Sequence, residues 1–259
     1  QKVAAVNQRF GAKEIAFVDD DFVVGKDWIY DFCGELRKLG NPVSWSCYVR
    51  ASQVDEGIFN AMKAAGCHQV LVGMEVLDND MLRMLNKDLT VASAGACVRA
   101  AHKADIEVIG LFMVGVPGTT PQSVRTTVKN ALAHELDVAV FSLYRPPPNS
   151  PAYVELGWTP DDYIDCFKLQ KQAVHVPPEY RDKAHVEETF TQAYKTFYLN
   201  PGYIRRAAQR MFSDPVKAKN ITRAALTLAD QFRPEFLNPA ARILARRIAP
   251  GRLRPAGDS

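Results

Sequence analysis

The first 150 residues alternate between strand-like and helix-like patterns, and this alternation constrains the fold more than any other feature. Short runs rich in β-branched and aromatic residues are each followed by an amphipathic segment long enough to cross back over a sheet. Strands connected in this way run parallel, which predicts an α/β fold. The predicted strands cover residues 14–18, 43–48, 68–73, 106–114 and 139–144. The predicted helices cover residues 27–39, 52–65, 78–85, 91–104 and 121–134, with Ser52 as one helix cap.

The fourth predicted strand ends in a turn that leaves its backbone bare. Gly115, Pro117 and Gly118 follow the apolar run directly. Thr120 is placed to cap the next helix, and Pro121 stands in its first turn, where the missing N–H costs nothing. Ligands of α/β folds bind at the carboxyl ends of the strands. A small flat ligand can therefore reach this backbone without meeting side chains.

Beyond residue 150 the sequence predicts helices only. The proline-rich stretch from Arg145 to Pro151 cannot continue a helix or a sheet interior. The helices predicted after it cover residues 160–174, 185–198, 201–213 and 214–248. We therefore expect an α/β domain of residues 1–150 and a helical region of residues 151–259, which either packs on that domain or trails from it.

The carboxyl-terminal part of the helical region is basic. From residue 200 onward there are 12 lysines and arginines against 4 acidic residues, whereas the whole chain carries a formal charge of only +3. The excess is typical either of a solvated helix face and tail or of a surface that contacts an anionic partner. Few aromatic residues follow Phe236 to stack on bases, so we do not expect a nucleic-acid partner.

Several classes of protein are disfavoured by simple counts. The sequence has no apolar run long enough to predict a membrane span. Its five cysteines are far apart, and its histidines lack metal-ligand spacing, so we assign no metal ligand and expect a reduced, cytoplasmic setting. The residues from Gln1 to Val6 resemble the middle of an amphipathic helix rather than a start or a signal peptide. We therefore expect an amino-terminally truncated fragment.

Charged residues follow three consecutive predicted strands. The run from Asp19 to Asp21 comes after the first strand, Arg50 after the second and Glu75 after the third. Taken singly, these are typical of a solvated acidic loop and of surface positions. Taken together, they favour one ligand that has amino, carboxylate and hydroxyl groups. Arg50 suits a carboxylate because a guanidinium donates two parallel hydrogen bonds, and Glu75 suits either ribose hydroxyls or an amine.

Blocks of this sequence, in order, resemble those of radical S-adenosylmethionine enzymes, above all the branch that often carries an amino-terminal cobalamin-binding domain. The blocks are Phe17-Val-Asp-Asp-Asp-Phe22, Trp45-Ser-Cys-Tyr-Val-Arg50, Met62-Lys-Ala-Ala-Gly-Cys67, Gly73-Met-Glu75, Leu85-Asn-Lys87, Gly110-Leu-Phe-Met-Val-Gly-Val-Pro-Gly118 and Phe197-Tyr-Leu-Asn-Pro-Gly-Tyr203. The resemblance covers residues 14–212. The combination of blocks in this order is specific, although each block alone is weak evidence for the family.

The resemblance implies a TIM-like partial (β/α)6 barrel whose first strand and cluster loop precede Gln1. In that family the loop holds a [4Fe-4S] cluster through a CxxxCxxC motif, and the cluster reductively cleaves S-adenosylmethionine to a 5′-deoxyadenosyl radical. The implied parent enzyme acts on an unidentified small molecule, with cobalamin-dependent methyl transfer as one outcome. Its implied electron donor is a reductant protein such as flavodoxin or ferredoxin.

The same resemblance implies a role for each candidate residue. The implied contacts with S-adenosylmethionine are Asp19 and Asp20 at the amino group, Arg50 at the carboxylate, Glu75 at the ribose, Val114, Gly115 and Val116 at the adenine, and Tyr144 closing the site. No residue is assigned to catalysis.

The sequence also departs from the family pattern. Thr119 stands where the family usually has Glu in Pro-Gly-Glu-Thr, and Val76 and Leu77 replace the usual Ser-Gly after the glutamate. No CxxxCxxC motif occurs in the 259 residues. Two interpretations follow: the cluster ligands lie upstream of residue 1, or the chain is a non-catalytic relative. A phosphate-binding barrel enzyme is a third, disfavoured because the turn from Gly115 to Gly118 has no basic residue.

Overall fold

The computed structural model describes residues 2–166, 172–213 and 222, and it contains a parallel sheet of five strands in the order of the chain. The strands are β1 (Glu14–Phe17), β2 (Ser44–Val49), β3 (Cys67–Glu75), β4 (Glu107–Val114) and β5 (Val138–Leu143). All four pairings are parallel. This confirms the predicted α/β class and each of the five predicted strands.

Helices connect the strands and follow them. They are α1 (Lys2–Phe10), α2 (Lys26–Lys38), α3 (Glu56–Ala64), α4 (Asn79–Met84), α5 (Val91–Lys103), α6 (Pro121–Ala133), α7 (Pro151–Glu155), α8 (Pro160–Cys166), α9 (Lys183–Tyr198) and α10 (Pro201–Ser213). Contacts divide the chain into two compact units, residues 1–203 and 204–259. The domain boundary at residue 150 stays a prediction.

The strand order places the connecting helices on one face of the sheet. Right-handed crossovers between sequential parallel strands put every helix on the same side, as in a (β/α) barrel. Burial along β4 agrees, since Val108 and Phe112 are buried whereas Ile109 and Leu111 between them are only half-buried. We call the side of Ile109, Leu111 and Gly73, which pairs with Leu111, the inner face.

Two details of the helices differ from the predictions. Asp55, not Ser52, caps α3, because its carboxylate accepts a hydrogen bond from the Ile58 N–H at 2.9 Å. The short helix α7 was not predicted; it begins at a proline with Ser150 as its cap, within the stretch that the prolines made us interpret as loop. By contrast, Thr120 caps α6 as predicted and forms a reciprocal capping box with Ser123.

Some predictions concern residues outside the described ranges. Helix α8 is described only to Cys166, and the residues 172–174 are not helical. Most of the predicted helix over 214–248 lies outside the described part, as do Arg242, Arg246, Arg247, Arg252 and Arg254 of the basic carboxyl-terminal part. Within the described ranges, no helix is long and apolar enough to span a membrane.

The outer edge of β5 is closed by tyrosine hydroxyls. The Tyr194 hydroxyl accepts a hydrogen bond from the Phe141 N–H at 3.0 Å and donates one to the Phe141 carbonyl at 2.8 Å. One helical turn later, the Tyr198 hydroxyl makes the same two bonds with Ala139 at 3.2 and 2.8 Å. The two hydroxyls therefore occupy backbone groups of an edge strand that would otherwise bond a further strand.

Candidate functional site

The carboxyl ends of β1 and β2 are joined by an ion pair. Arg50 Nε lies 3.2 Å from Asp21 Oδ2, and the Asp21 side chain is only 17% exposed. The Phe22 N–H donates a hydrogen bond to the Tyr48 carbonyl at 3.1 Å, which ties the loop after β1 to β2. Asp21 was part of the acidic run but was not among the predicted contacts. The signal that distinguishes it is its place directly before the apolar Phe22.

The other two carboxylates of the run remain exposed. Asp19 and Asp20 form no ion pair or hydrogen bond with another described residue. Both follow β1 at the carboxyl edge of the sheet, next to the Asp21–Arg50 pair. This arrangement leaves two unneutralised carboxylates beside a guanidinium that is itself 68% exposed. Such a set can bind the ammonium and the carboxylate of an amino acid at the same time.

Glu75 occupies a strained turn at the end of β3. Its φ is +57°, in the left-handed region that residues other than glycine rarely adopt. The Val76 N–H donates a hydrogen bond to the Met74 carbonyl at 2.6 Å, which closes a three-residue turn with Glu75 at its centre. A Cβ at Gly73 would lie 3.5 Å from Glu75 Oε1, so the carboxylate lies over Gly73 on the inner face.

The lysine just after helix α4 pairs with the Glu75 carboxylate. Lys87 Nζ lies 2.9 Å from Glu75 Oε1, with the two side chains 42% and 19% exposed. Within the described part of the chain, Lys87 is the only partner of this carboxylate, so its second oxygen has no protein donor. Lys87 belongs to a block that supported the family resemblance, but it was not predicted as a site residue.

Helix α6 fixes the backbone just after Glu75. The Leu77 N–H donates a buried hydrogen bond to Thr127 Oγ1 at 2.9 Å. The Asn130 side-chain amide donates to the Leu77 carbonyl at 2.8 Å. Strained backbone persists only where its surroundings over-determine it, and these two bonds supply that constraint. Neither residue was predicted, because α6 is distant in sequence.

The end of β4 runs into a buried turn. Val114, Gly115 and Val116 are all buried, and Gly115 takes a φ of +82°. Gly118 has a φ of +81°, and a Cβ there would overlap the Met84 sulfur. The exposure of each whole residue, peptide group included, is low, and a Cβ at Gly115 would lie only 3.0 Å from Val186 Cγ1. The turn is therefore covered rather than bare as the sequence led us to expect, and its contact with a ligand stays a prediction.

Tyr144 lies next to this turn at the end of β5. Its N–H donates a hydrogen bond to the Val114 carbonyl at 2.8 Å. Its ring meets that of His175 edge to face at 5.9 Å, and burial lowers the pKa of His175. The predicted site residues therefore all follow the carboxyl ends of five adjacent strands. Their contacts with a ligand remain predictions.

The cysteines of this chain do not suit an iron–sulfur cluster. All five are free and buried, and burial raises the pKa of the Cys33 and Cys97 thiols to about 12. A hydrogen bond between Cys47 and Cys67, together with burial, raises the pKa of Cys47 further. Cluster ligands are thiolates, which these environments disfavour. No group of three or more metal-binding side chains occurs among the described residues.

Comparison with known proteins identifies the family. The model of the radical SAM superfamily matches residues 1–131, which is half of the chain. The chain belongs to the radical SAM superfamily. An uncharacterised methyltransferase of Pyrococcus horikoshii is 27% identical over 210 residues, which cover 78% of this chain and 44% of that protein. The anaerobic magnesium-protoporphyrin IX monomethyl ester cyclase of Rubrivivax gelatinosus is 24% identical over 192 residues, covering 72% of this chain and 34% of that protein.

Solved structures of radical SAM proteins share the fold. The methyltransferase TsrM from Kitasatospora setae, with cobalamin and a [4Fe-4S] cluster bound, matches with a TM-score of 0.56 and 18% identity over 77% of this chain and 45% of that one. Coproporphyrinogen III oxidase from Escherichia coli matches with a TM-score of 0.53 and 14% identity over 72% of this chain and 40% of that one. The predicted TIM-like barrel class is thereby confirmed. The chain spans less than half the length of the curated relatives it matches.

Proposed function

We propose that this chain is the S-adenosylmethionine-binding part of a radical SAM enzyme that cleaves this nucleoside reductively to a 5′-deoxyadenosyl radical. The observation that carries the proposal is the sequence of polar groups along one edge of the sheet. Asp19 and Asp20 offer carboxylates to the ammonium, Arg50 offers its guanidinium to the carboxylate, and Glu75 offers one oxygen to the ribose. The groups follow the order of the ligand from its amino acid to its nucleoside.

Adenine binding completes this proposal at the fourth and fifth strands. We propose that the turn of Val114, Gly115 and Val116 lies beside the base and that Tyr144 closes the site from β5. Family membership supports the same ligand. When bound, the nucleoside would supply the carbon radical, and this chain's residues would orient it.

The proposal assigns no cluster ligand to these residues. The family activity uses a [4Fe-4S] cluster, but the five cysteines here are buried and without the CxxxCxxC spacing. We therefore derive no step through a cluster from this chain. The second candidate is a non-catalytic relative that binds S-adenosylmethionine without cleaving it.

Methyl transfer is the reaction outcome that we propose. It is supported by the likeness to the Pyrococcus horikoshii methyltransferase and by the shared fold of TsrM, whose structure contains cobalamin. The likeness to the Rubrivivax gelatinosus cyclase supports ring formation as the competing outcome. The proposed partners are a small-molecule substrate and a flavodoxin- or ferredoxin-like reductant. The proposed cytoplasmic location is supported by the lack of a disulfide framework in the sequence.

The test is nucleoside cleavage by the complete protein. Reconstituted anaerobically with iron and sulfide, it should turn brown. After reduction with dithionite, it should release 5′-deoxyadenosine from S-adenosylmethionine. Arg50→Ala should raise the KM for S-adenosylmethionine on the order of tenfold, because one charge-assisted hydrogen bond is lost. Arg37→Ala, which removes an exposed arginine of α2, is the matched control.

Two other outcomes decide between the candidates. A colourless protein that binds S-adenosylmethionine by isothermal calorimetry but leaves it intact supports the non-catalytic relative. A protein that neither cleaves nor binds it overturns both.

A further inference from the structure

We infer that the inner face of the sheet binds an uncharged, mostly apolar small-molecule substrate next to the proposed nucleoside site. The inference rests on the proposed binding of S-adenosylmethionine and deepens it by naming the chemical class of the second ligand. The strand register, the burial of the side chains and the types of residue on this face carry it.

The inner face is lined by the residues that alternate along β3, β4 and β5. They form three rows across the sheet: Leu71, Ile109 and Val138; Gly73, Leu111 and Val140; and Met113 with Ser142. We call these rows the apolar wall. All of its residues are half-buried or exposed, whereas the residues that alternate with them are buried. The protein therefore covers the wall only in part.

The wall has no charged side chain among the described residues. Its polar groups are the hydroxyl of Ser142 and, beside it on β2, that of Tyr48, which pairs with Leu71. An ion that leaves water against such a wall loses its hydration and finds no opposite charge. An uncharged molecule avoids this cost, and its apolar area gains free energy on leaving water. The wall therefore favours an uncharged, mostly apolar ligand, whose few polar atoms the two hydroxyls can bind.

A polar layer closes the wall at the amino-terminal ends of the strands. Ser46 pairs with Gln69, and Gln69 pairs with Glu107. The Gln69 amide donates a hydrogen bond to Glu107 Oε2 at 3.2 Å, and both Ser46 and Glu107 are buried. Glu107 lies six residues before Met113, about 20 Å along the strand, so its charge is distant from the carboxyl edge. We therefore expect the ligand to enter from the carboxyl edge.

At that edge the wall borders the proposed nucleoside site. A Cβ at Gly73 would have the Glu75 carboxylate, 3.5 Å away, as its only contact within 4 Å beyond the neighbouring residues. The space over Gly73 is therefore open except for the carboxylate that we propose to bind the ribose. Met113 directly precedes Val114 of the proposed adenine site. Because a reaction between two ligands requires that they touch, this border favours a substrate, rather than a protein segment, as the occupant.

Cysteine labelling of the complete protein tests the charge preference of the wall. Ser142→Cys introduces a thiol there, while the five native cysteines are buried. The reagents are methyl methanethiosulfonate, which is uncharged, and its anionic sulfonatoethyl and cationic trimethylammonioethyl counterparts. Val154→Cys, at a position of α7 that is 69% exposed, is the matched control. The ratio of the uncharged to each charged labelling rate should be on the order of tenfold higher for Ser142→Cys, because only there must the ion lose water.

The uncharged dye Nile red, which fluoresces in apolar surroundings, provides a ligand probe for the same protein. Leu111→Asp places a charge in the middle row of the wall and should weaken dye binding on the order of tenfold. Leu199→Asp, at an exposed position just after α9, is the matched control and should leave dye binding unchanged. Circular dichroism verifies that both variants fold.

The outcomes separate this inference from the proposed function. If no reagent labels Ser142→Cys, protein covers the wall and the inference fails. It also fails if the charged reagents label Ser142→Cys as readily, relative to the uncharged one, as they label Val154→Cys. Unchanged dye binding in a folded Leu111→Asp protein overturns it as well. If the labelling and the dye behave as expected but calorimetry shows no binding of S-adenosylmethionine, the proposed function fails and the chemical class assigned to the wall stands.

Discussion

The outer edge of β5 and the end of β3 both place side-chain oxygens against strand backbone, but they use them differently. At β5 the Tyr194 and Tyr198 hydroxyls each donate one hydrogen bond and accept another, so each hydroxyl proton and each bonded strand group is used within the fold. At β3 the Glu75 carboxylate has Lys87 as its one partner among the described residues, and its second oxygen has none there. The first arrangement uses its oxygens within the fold, whereas the second leaves an oxygen available to a ligand or to water.

The backbone at the two places differs in the same way. The groups that β5 presents to the tyrosines belong to regular strand residues. Glu75 instead has a φ of +57°, a conformation that costs of order 1–3 kcal/mol for a residue other than glycine. Lys87 holds the carboxylate, and Thr127 and Asn130 of α6 hold the backbone at Leu77. The comparison indicates that β5 serves stability and that the end of β3 gives up stability for a fixed carboxylate.

The largest loss of stability should come from the β5 edge. Tyr194→Phe removes a hydroxyl that satisfies both the N–H and the carbonyl of Phe141 in a buried place. Leaving these two groups without partners should lower the free energy of unfolding by about 3 kcal/mol. Urea denaturation followed by circular dichroism measures it. Tyr30→Phe, at an exposed position of α2, is the control and should have almost no effect.

If Tyr194→Phe lowers the free energy of unfolding as little as Tyr30→Phe does, the tyrosine hydroxyls do not stabilise the edge of β5. The stability role assigned to that edge is then wrong. Binding of S-adenosylmethionine by the folded Tyr194→Phe protein should be unchanged, since the hydroxyl faces away from the strand ends.

A smaller loss is expected from the support behind Glu75. Thr127→Val keeps the shape of the side chain but leaves the buried Leu77 N–H without its acceptor. The free energy of unfolding should fall by about 1–2 kcal/mol. Because the turn is held less firmly, the affinity for S-adenosylmethionine should fall as well, as calorimetry would show. Thr126→Val, one position earlier on α6, is the control, because it replaces one β-branched residue of the helix by another in the same way.

If the affinity stays constant while Thr127→Val destabilises the protein, the hydrogen bond from Leu77 to Thr127 supports the fold but does not position Glu75.

The sequence was informative where local chemistry decides the structure. Thr120 and Pro121 predicted the start of α6 correctly, because a cap and a first-turn proline act through neighbouring residues. The end of β3 was predicted at Gly73, two residues early, since glycine punctuates a strand pattern and nothing marks a left-handed glutamate. The sequence also did not predict the roles of the two tyrosines. At helical spacing, Tyr194 and Tyr198 have the pattern of a core stripe, and their hydrogen bonds depend on a strand more than 50 residues away.

The site was predictable only as a set of strand ends. Adjacent parallel strands necessarily bring Arg50 and Glu75 to one edge, which the sequence could predict from their positions. It could not predict that Asp21, rather than Asp19 or Asp20, would pair with Arg50, because that choice depends on how Phe22 packs among Phe17, Trp28 and other rings.

The smallest effect on stability is expected at Glu75 itself. This prediction discriminates most sharply between the outer edge of β5 and the end of β3. Glu75→Gly removes the left-handed strain but also the pair with Lys87 and some rigidity of the unfolded chain, so the free energy of unfolding should change by less than about 1 kcal/mol. Affinity for S-adenosylmethionine should nevertheless fall strongly. Glu135→Gly is a matched control, because Glu135 also has a left-handed φ, of +59°, at the turn before β5. It should leave affinity unchanged. A large loss of stability at Glu75 with normal binding would mean that this carboxylate, like the tyrosine hydroxyls, serves the fold alone.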